Sequence, residues 1–164
     1  MNVSERQILV SDFHRMNSEP INDAPEPPSD EQAVLRAKFI MEEALELIDA
    51  LGVQVHLPIS DHPGMAEGDV DIGRLEFHNV KEPNLVAAVD ALRDLECHIY
   101  GVELVLGVHS VSEETFLEVH RSNMDKRRVA CNEKAMKPPG WKPPRIAEIL
   151  RKRFPKKALL FRPR

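Results

Sequence analysis

The feature that most constrains this chain is an apolar helical pattern over residues 36–48 that three carboxylates interrupt. Glu42, Glu43 and Glu46 are spaced so that one side of an α-helix carries all three. Apolar residues flank the triplet on both sides, so part of this acidic face must approach the protein core. An acidic helix face turned to solvent is the commoner meaning of such a triplet and remains the alternative interpretation.

A second acidic pair, Asp90 and Asp94, lies one helical turn apart in another strongly apolar segment. Bringing two acidic helix faces together costs free energy through like-charge repulsion and lost solvation, and a cation removes that cost. Oxygen ligands of this kind suit Mg²⁺ or Mn²⁺ better than zinc. The two segments therefore predict a divalent-metal site of the type that acts on phosphates.

Composition narrows the class of protein. A chain of 164 residues corresponds to one domain, here 1–164 with a core at about 30–127 and a tail at 128–164. The net charge of −5 provides no basic field for nucleic acid. Cys97 and Cys131 form neither a disulfide framework nor a zinc spacing. Without an apolar signal core or a membrane-length apolar run, we expect a cytoplasmic protein with no membrane partner.

Apolar spacing and stop signals predict an all-α bundle of about four core helices. The 53–83 insertion, rich in glycine and proline, is either a small hairpin of 53–57 with 74–80 or a loose loop. The basic tail is expected to wrap the bundle. The predicted helices are 4–17, Ser29 or Asp30 to Gly52, Asn84 to about Leu106, Glu113 to about Arg127, and Ile146–Arg153.

Further polar and aromatic residues each have two interpretations. Asn123 and Lys126 are spaced to meet phosphate oxygens from one helix face, or form an ordinary polar C-terminal turn. Phe13 and His14 are candidates for contact with a base, although a single helical histidine is more often structural. The lone Trp141 packs as a structural aromatic or docks over a site. His98, in mid-helix, is interpreted as a packing residue.

These motifs together resemble the all-α nucleoside triphosphate pyrophosphohydrolases of the MazG-like and phosphoribosyl-ATP pyrophosphohydrolase-like superfamily. The family carries Glu-Glu-x-x-Glu on one helix and Glu-x-x-Asp on a later one, and residues 42–46 match the first. Segments 12–15, 118–126 and 137–143 resemble the bacterial and phage branch that includes dUTP-cleaving members, so similarity spans most of residues 12–146.

One position departs from the family pattern. Ala91 stands three residues before Asp94, where the family has a glutamate, and Asp90 is the nearest carboxylate. Because a helical turn is 3.6 residues, Asp90 projects to nearly the same side and is the expected substitute.

The resemblance implies Mg²⁺-dependent (or Mn²⁺-dependent) hydrolysis of a (deoxy)nucleoside triphosphate to the monophosphate and pyrophosphate. It also implies a homodimer or homotetramer, with a housecleaning role in which unwanted nucleotides are removed from the nucleotide pool. One alternative is a catalytically weak or inactive nucleotide-binding protein of the same fold, which Ala91 favours. Another is hydrolysis of phosphoribosyl-ATP. The implied site residues are Glu42 as general base or ligand to a further metal, Glu43, Glu46, Asp90 and Asp94 as metal ligands, Arg36, Asn123 and Lys126 at phosphates, and Phe13 and His14 at the base.

Overall fold

The computed structural model describes residues 4–56, 74–126 and 136–161. It confirms the all-α class, with one small antiparallel sheet from the insertion. Within the described ranges, no helix is both long enough and apolar enough to cross a bilayer. The elements are α1 (Glu5–Met16), α2 (Asp30–Ala50), β1 (Val53–His56), β2 (Glu76–Asn79), α3 (Leu85–Leu106), α4 (Ser112–Met124) and α5 (Ile146–Arg153), with 3₁₀ helices at His109–Val111 and Pro155–Leu160.

The chain forms two compact units whose boundary falls within α3. One unit is Ser29–Ile99, and the other combines Met1–Pro28 with Tyr100–Arg164. Each unit has its own hydrogen bonds and its own set of predicted site residues, so the two are described separately.

In the unit Ser29–Ile99, α2 begins at the predicted cap. The Ser29 side chain accepts a hydrogen bond from the backbone of Gln32, and the Gln32 side chain accepts one from the backbone of Ser29. This reciprocal pair satisfies two of the free N–H groups at the helix start. The hairpin interpretation of the insertion is confirmed, because Val53 pairs with Asn79 and His56 pairs with Glu76. Residues 57–73 lie outside the described part of the chain.

Gly52 joins the end of α2 to the start of α3. Its carbonyl accepts a hydrogen bond from the Val80 backbone at 2.8 Å, and the Ala50 carbonyl accepts one from Asn84 at 2.7 Å. Gly52 has a φ of +80°, and a Cβ there would lie 2.0 Å from the Lys81 carbonyl oxygen. Only glycine fits at this close approach of Gly52 to Lys81, which is called the crossing below. The crossing fixes where α3 starts relative to α2.

In the other unit, the core surrounds the C-terminal part of α3. Leu104, Val105 and Val111 are almost completely buried. The connector before α2 lies against this helix end, where the Asn22 and Glu26 backbone amides donate to the carbonyls of Leu104 and Leu106. The proline-rich connector is therefore held by backbone hydrogen bonds instead of running free in solvent.

The predicted tail helix is confirmed, and α5 contacts α4 in the same unit. Arg153 of α5 donates to a Glu114 carboxylate oxygen at 3.1 Å. The end of α4 differs from the prediction, which extended it to about Arg127. Asp125 is its C-cap, and the Lys126 backbone amide bonds back to the Asn123 carbonyl in a tight closing turn. Residues 127–135, the start of the tail, are not among the described residues.

Candidate active site

Glu43 is the most buried carboxylate of the predicted acidic face. Its side chain is 15% exposed, and Oε1 lies 3.7 Å from Nε2 of His98 on α3. Its other oxygen, Oε2, is buried without a hydrogen-bond partner in the described part of the chain. A carboxylate oxygen in that state is destabilised unless a positive group reaches it.

The surroundings of Glu43 are themselves acidic. Burial raises the pKa of Glu43, and the nearby Glu46 and Asp94 carboxylates raise it further, whereas His98 lowers it. Asp94 lies on α3, so carboxylates from two helices share one electrostatic environment, as the sequence pattern predicts. This is the arrangement whose cost a cation offsets.

Asp90 and Ala91 line the same groove as Glu46. This groove has a volume of about 520 Å³ and is lined by residues of α2 and α3. Ala91 is only 4% exposed, whereas Asp90 is exposed. Asp90 therefore lines the same groove as position 91, at which the family has a glutamate.

The donor set fits a hard divalent cation. Every candidate ligand is a carboxylate, and one buried oxygen, Oε2 of Glu43, has no hydrogen-bond partner in the described part of the chain. Within the described ranges, no three His, Cys, Asp or Glu side chains converge closely enough to form a metal shell. Glu43, Glu46, Asp90 and Asp94 are therefore candidate ligands that do not form a closed shell in this structure.

His98 has a contact that the sequence analysis missed. Its ring stacks on Phe39 with centroids 5.0 Å apart, which agrees with the packing interpretation. The same ring faces Glu43, so His98 both packs and approaches the acidic face. Its position four residues after Asp94, on the same side of α3, was the available signal.

The predicted phosphate-binding residues are divided between the two units. Arg36 is 8% exposed and lies on α2, two turns before Glu43. Asn123 and Lys126 belong to the other unit, where Nζ of Lys126 donates to Oδ1 of Asn123 at 2.7 Å. The two side chains are therefore in contact, although Lys126 lies just beyond the end of α4 and not on the helix.

Phe13 and His14 point in different directions from α1. Phe13 is 58% exposed, whereas His14 is 3% exposed and its Nδ1 lies 3.2 Å from the Pro20 carbonyl. Because a carbonyl only accepts, Nδ1 donates that bond. These contacts describe a structural role for His14 at the turn into the connector, and Phe13 remains available to a ligand.

Glu118 is a second buried carboxylate, in the unit that contains α4, to which the sequence analysis gave no role. It is 9% exposed and accepts hydrogen bonds from the guanidinium groups of Arg121 and Arg145 at 2.9–3.0 Å. These donors hold its pKa far below the ordinary value. Unlike Glu43, it is fully paired, so it stabilises structure and does not call for a cation. The spacing of Glu118 and Arg121 was the signal in the sequence.

Comparison with known proteins identifies the family. A search of curated proteins found no match. The family model for phosphoribosyl-ATP pyrophosphohydrolase matches residues 10–123, which include α2, α3 and every carboxylate of the candidate site. The match indicates a nucleotide pyrophosphohydrolase type of activity, that of a hydrolase of phosphoanhydride bonds. The chain belongs to the phosphoribosyl-ATP pyrophosphohydrolase family.

Proposed function

We propose that this chain is a MazG-like enzyme that hydrolyses a (deoxy)nucleoside triphosphate to the monophosphate and pyrophosphate with Mg²⁺, or Mn²⁺ in its place. The observation that carries the proposal is the environment of Glu43. Glu43 is half-buried, its buried Oε2 has no hydrogen-bond partner among the described residues, and carboxylates of α2 and α3 lie nearby. A nucleotide polyphosphate arrives with a divalent cation, and a group of carboxylates attracts such a cation.

The side chains divide the work of binding and proton transfer. When bound, a divalent cation neutralises charge on phosphate oxygens and lowers the pKa of a bound water. Glu42 is exposed beside the half-buried Glu43 and is our candidate for the general base that accepts a proton from the attacking water. Arg36, Asn123 and Lys126 are our candidates for contacts to phosphate oxygens.

His98 supports Glu43 in this proposal. An imidazole 3.7 Å from a ligand carboxylate is too far for a hydrogen bond but supports the negative charge of that carboxylate electrostatically. The stacking of His98 on Phe39 fixes the ring in turn. A residue of α3 thereby acts on Glu43, which lies on α2.

Two alternatives each rest on a specific observation. The description of the matching family favours phosphoribosyl-ATP as the substrate, which has the same triphosphate chain. Ala91 in place of the family's glutamate favours a weak or inactive nucleotide-binding protein. The exposed Asp90 on the same groove favours activity over that second alternative.

We also propose that the chain associates as a dimer or tetramer. Val86 is 82% exposed, and apolar side chains on several helices are exposed with it. Exposed apolar surface of this extent is typical of interfaces. Light scattering during size-exclusion chromatography measures the assembly directly. The other exposed apolar residues on α2 and α3 include Val34, Met41, Leu45, Leu85 and Val89.

The test of the proposed activity is pyrophosphate release from a panel of dNTPs, NTPs and phosphoribosyl-ATP, with Mg²⁺, Mn²⁺ or EDTA. We expect metal-dependent release from a nucleoside triphosphate, and its loss in Glu46→Gln. Glu31→Gln, which removes an exposed carboxylate from the first turn of the same helix, is the matched control and retains activity. Release from phosphoribosyl-ATP alone supports the second substrate, and binding without release supports the inactive alternative.

A further inference from the structure

Trp141 is attached to the C-terminal end of α4. Its indole N–H donates to the Ser122 carbonyl at 2.9 Å, one of the last carbonyls of the helix, which have no partner within it. Ser122 is 1% exposed, and its hydroxyl donates to the Lys142 carbonyl at 3.2 Å. Two hydrogen bonds in opposite directions therefore fix the indole at this helix end.

The rest of the segment is fixed further along α4. The Arg145 backbone amide donates to the buried Glu118 carboxylate at 2.9 Å, and its guanidinium donates to the same oxygen at 3.0 Å. Residues 141–145, hereafter the strap, thus contact α4 at Glu118 and at Ser122. The strap lies beyond residues 10–123, the range of the family match.

Two lysines meet at the Trp141 ring. The ammonium of Lys126 lies 5.6 Å from the ring centroid, and that of Lys137 lies 4.6 Å from it. Both distances fall within the range of cation–π attraction. Lys126 also donates to Asn123, so one aromatic ring holds two ammonium groups beside a carboxamide. Two ammonium groups around one ring make this surface locally positive, which favours an anion with several negative oxygens.

We propose that Trp141 is a positioning residue that gathers Lys126 and Lys137 into one binding site for a polyphosphate chain, and that Lys137 is a further phosphate-binding residue. This inference rests on the proposed function, which supplies the nucleoside triphosphate as the ligand. Trp141 acts through the lysines and makes no bond to the phosphates.

The test uses inorganic tripolyphosphate as the probe and calorimetry on the full chain, so it needs no turnover. We expect Lys137→Met and Lys126→Met each to weaken binding. We expect Trp141→Leu to weaken it about two- to fivefold, the size of an exposed cation–π contact. Trp141→Phe keeps an aromatic face and recovers most of the affinity. Lys152→Met, which removes an exposed lysine from α5, is the charge control and binds as wild type does.

Coupling distinguishes positioning from general stabilisation of the tail. If Trp141 acts through the lysines, Trp141→Leu causes no further loss in the Lys126→Met/Lys137→Met background. Equal losses in both backgrounds, or no effect of Lys137→Met, would overturn the inference. Should Trp141→Leu fail to fold, the fluorescence of this only tryptophan decides. Tripolyphosphate changes it in wild type and leaves it unchanged in the double lysine variant, and the same response in both contradicts the inference.

The inference and the proposed function fail separately. Tripolyphosphate binding with the predicted coupling, but no hydrolysis of any nucleotide, would contradict the function and retain the site. Hydrolysis with no role for Trp141 or Lys137 would retain the function and contradict the site. Absence of both hydrolysis and tripolyphosphate binding would contradict both.

Discussion

Nε2 of His98 lies 3.7 Å from Oε1 of Glu43, so α3 brings an imidazole as well as carboxylates to the acidic face of α2. The pair shows how the site is balanced. Burial and the neighbouring carboxylates disfavour the charge on Glu43, and His98 partly supports it. Oε2 of Glu43 has no hydrogen-bond partner among the described residues, so a cation that reached it would satisfy it.

Glu43→Gln is expected to abolish activity and to stabilise the metal-free protein. The amide removes a charge that burial and the neighbouring carboxylates disfavour. The melting temperature should therefore rise by roughly 2–4 °C, the shift that a change of about 1 kcal/mol in stability produces in a chain of this size. Activity should fall more than about 100-fold, since loss of a ligand's partner alone costs about 10- to 100-fold. Calorimetric melting in EDTA and pyrophosphate release measure the two effects. A variant that melts lower and retains full activity would contradict the assignment.

His98→Phe separates the two contacts of His98. The new ring retains stacking on Phe39 but loses the nitrogen that faces Glu43. We expect little change in melting temperature and a rise of about tenfold or more in the Mg²⁺ concentration needed for half-maximal activity. An unchanged Mg²⁺ dependence would show that His98 only packs.

Asp90→Ala tests whether Asp90 replaces the family's glutamate. Activity should fall, because the groove shared with Glu46 loses a carboxylate. In the double variant Asp90→Ala/Ala91→Glu, the glutamate stands at the family position and activity should return. The buried site must accommodate a larger side chain, so stability should decrease by about 1–3 kcal/mol. Full activity of Asp90→Ala alone would show that Asp90 is not a ligand.

Glu118→Gln is expected to destabilise the protein in a pH-dependent manner. The folded-state pKa of Glu118 is depressed by its arginine partners, so the ionised form contributes stability at pH values above the ordinary carboxyl pKa. That contribution declines as the pH falls from there toward the folded-state pKa. The gap between the melting temperatures of wild type and variant should therefore be widest near neutral pH and narrow in acid. A gap that does not change with pH would contradict this role.

Gly52→Ala tests the crossing that places α3 beside α2. The positive φ and the overlap of a Cβ with the Lys81 carbonyl should together cost more than about 1–3 kcal/mol, the cost of strained backbone alone. Gly140→Ala is the matched control, because Gly140 has a φ of +81° but a Cβ there would meet nothing within 4 Å. Chemical denaturation should show a smaller loss for Gly140→Ala. Equal losses would mean that the crossing is not tight.

Helix bounds could be predicted from the sequence where capping is local. Ser29 begins α2 through a reciprocal bond with Gln32, and both residues are visible in the sequence. The end of α4 could not be predicted, because no glycine or proline stop signal follows Met124 until Pro138. Its position depends on a closing turn at Lys126 and on the bond from Trp141 to Ser122, which joins residues 19 apart.

The acidic site shows the same division. Helical spacing predicts that Glu43 and Glu46 lie on one side of α2, because that side is set by the helix period. The proximity of His98 to Glu43 depends on how α2 and α3 lie together, which spacing within one helix cannot give. The crossing at Gly52 contributes to this arrangement. Position 52 requires glycine because the Lys81 carbonyl lies against it, and that contact is known only from the structure.

The measurement that tests the central claim most directly is identification of both products from a nucleoside triphosphate by ³¹P NMR, with Mg²⁺ and then with EDTA. We predict equal amounts of nucleoside monophosphate and pyrophosphate with Mg²⁺, and intact nucleotide with EDTA. Nucleoside diphosphate with orthophosphate, or product formation that EDTA does not stop, would contradict the account.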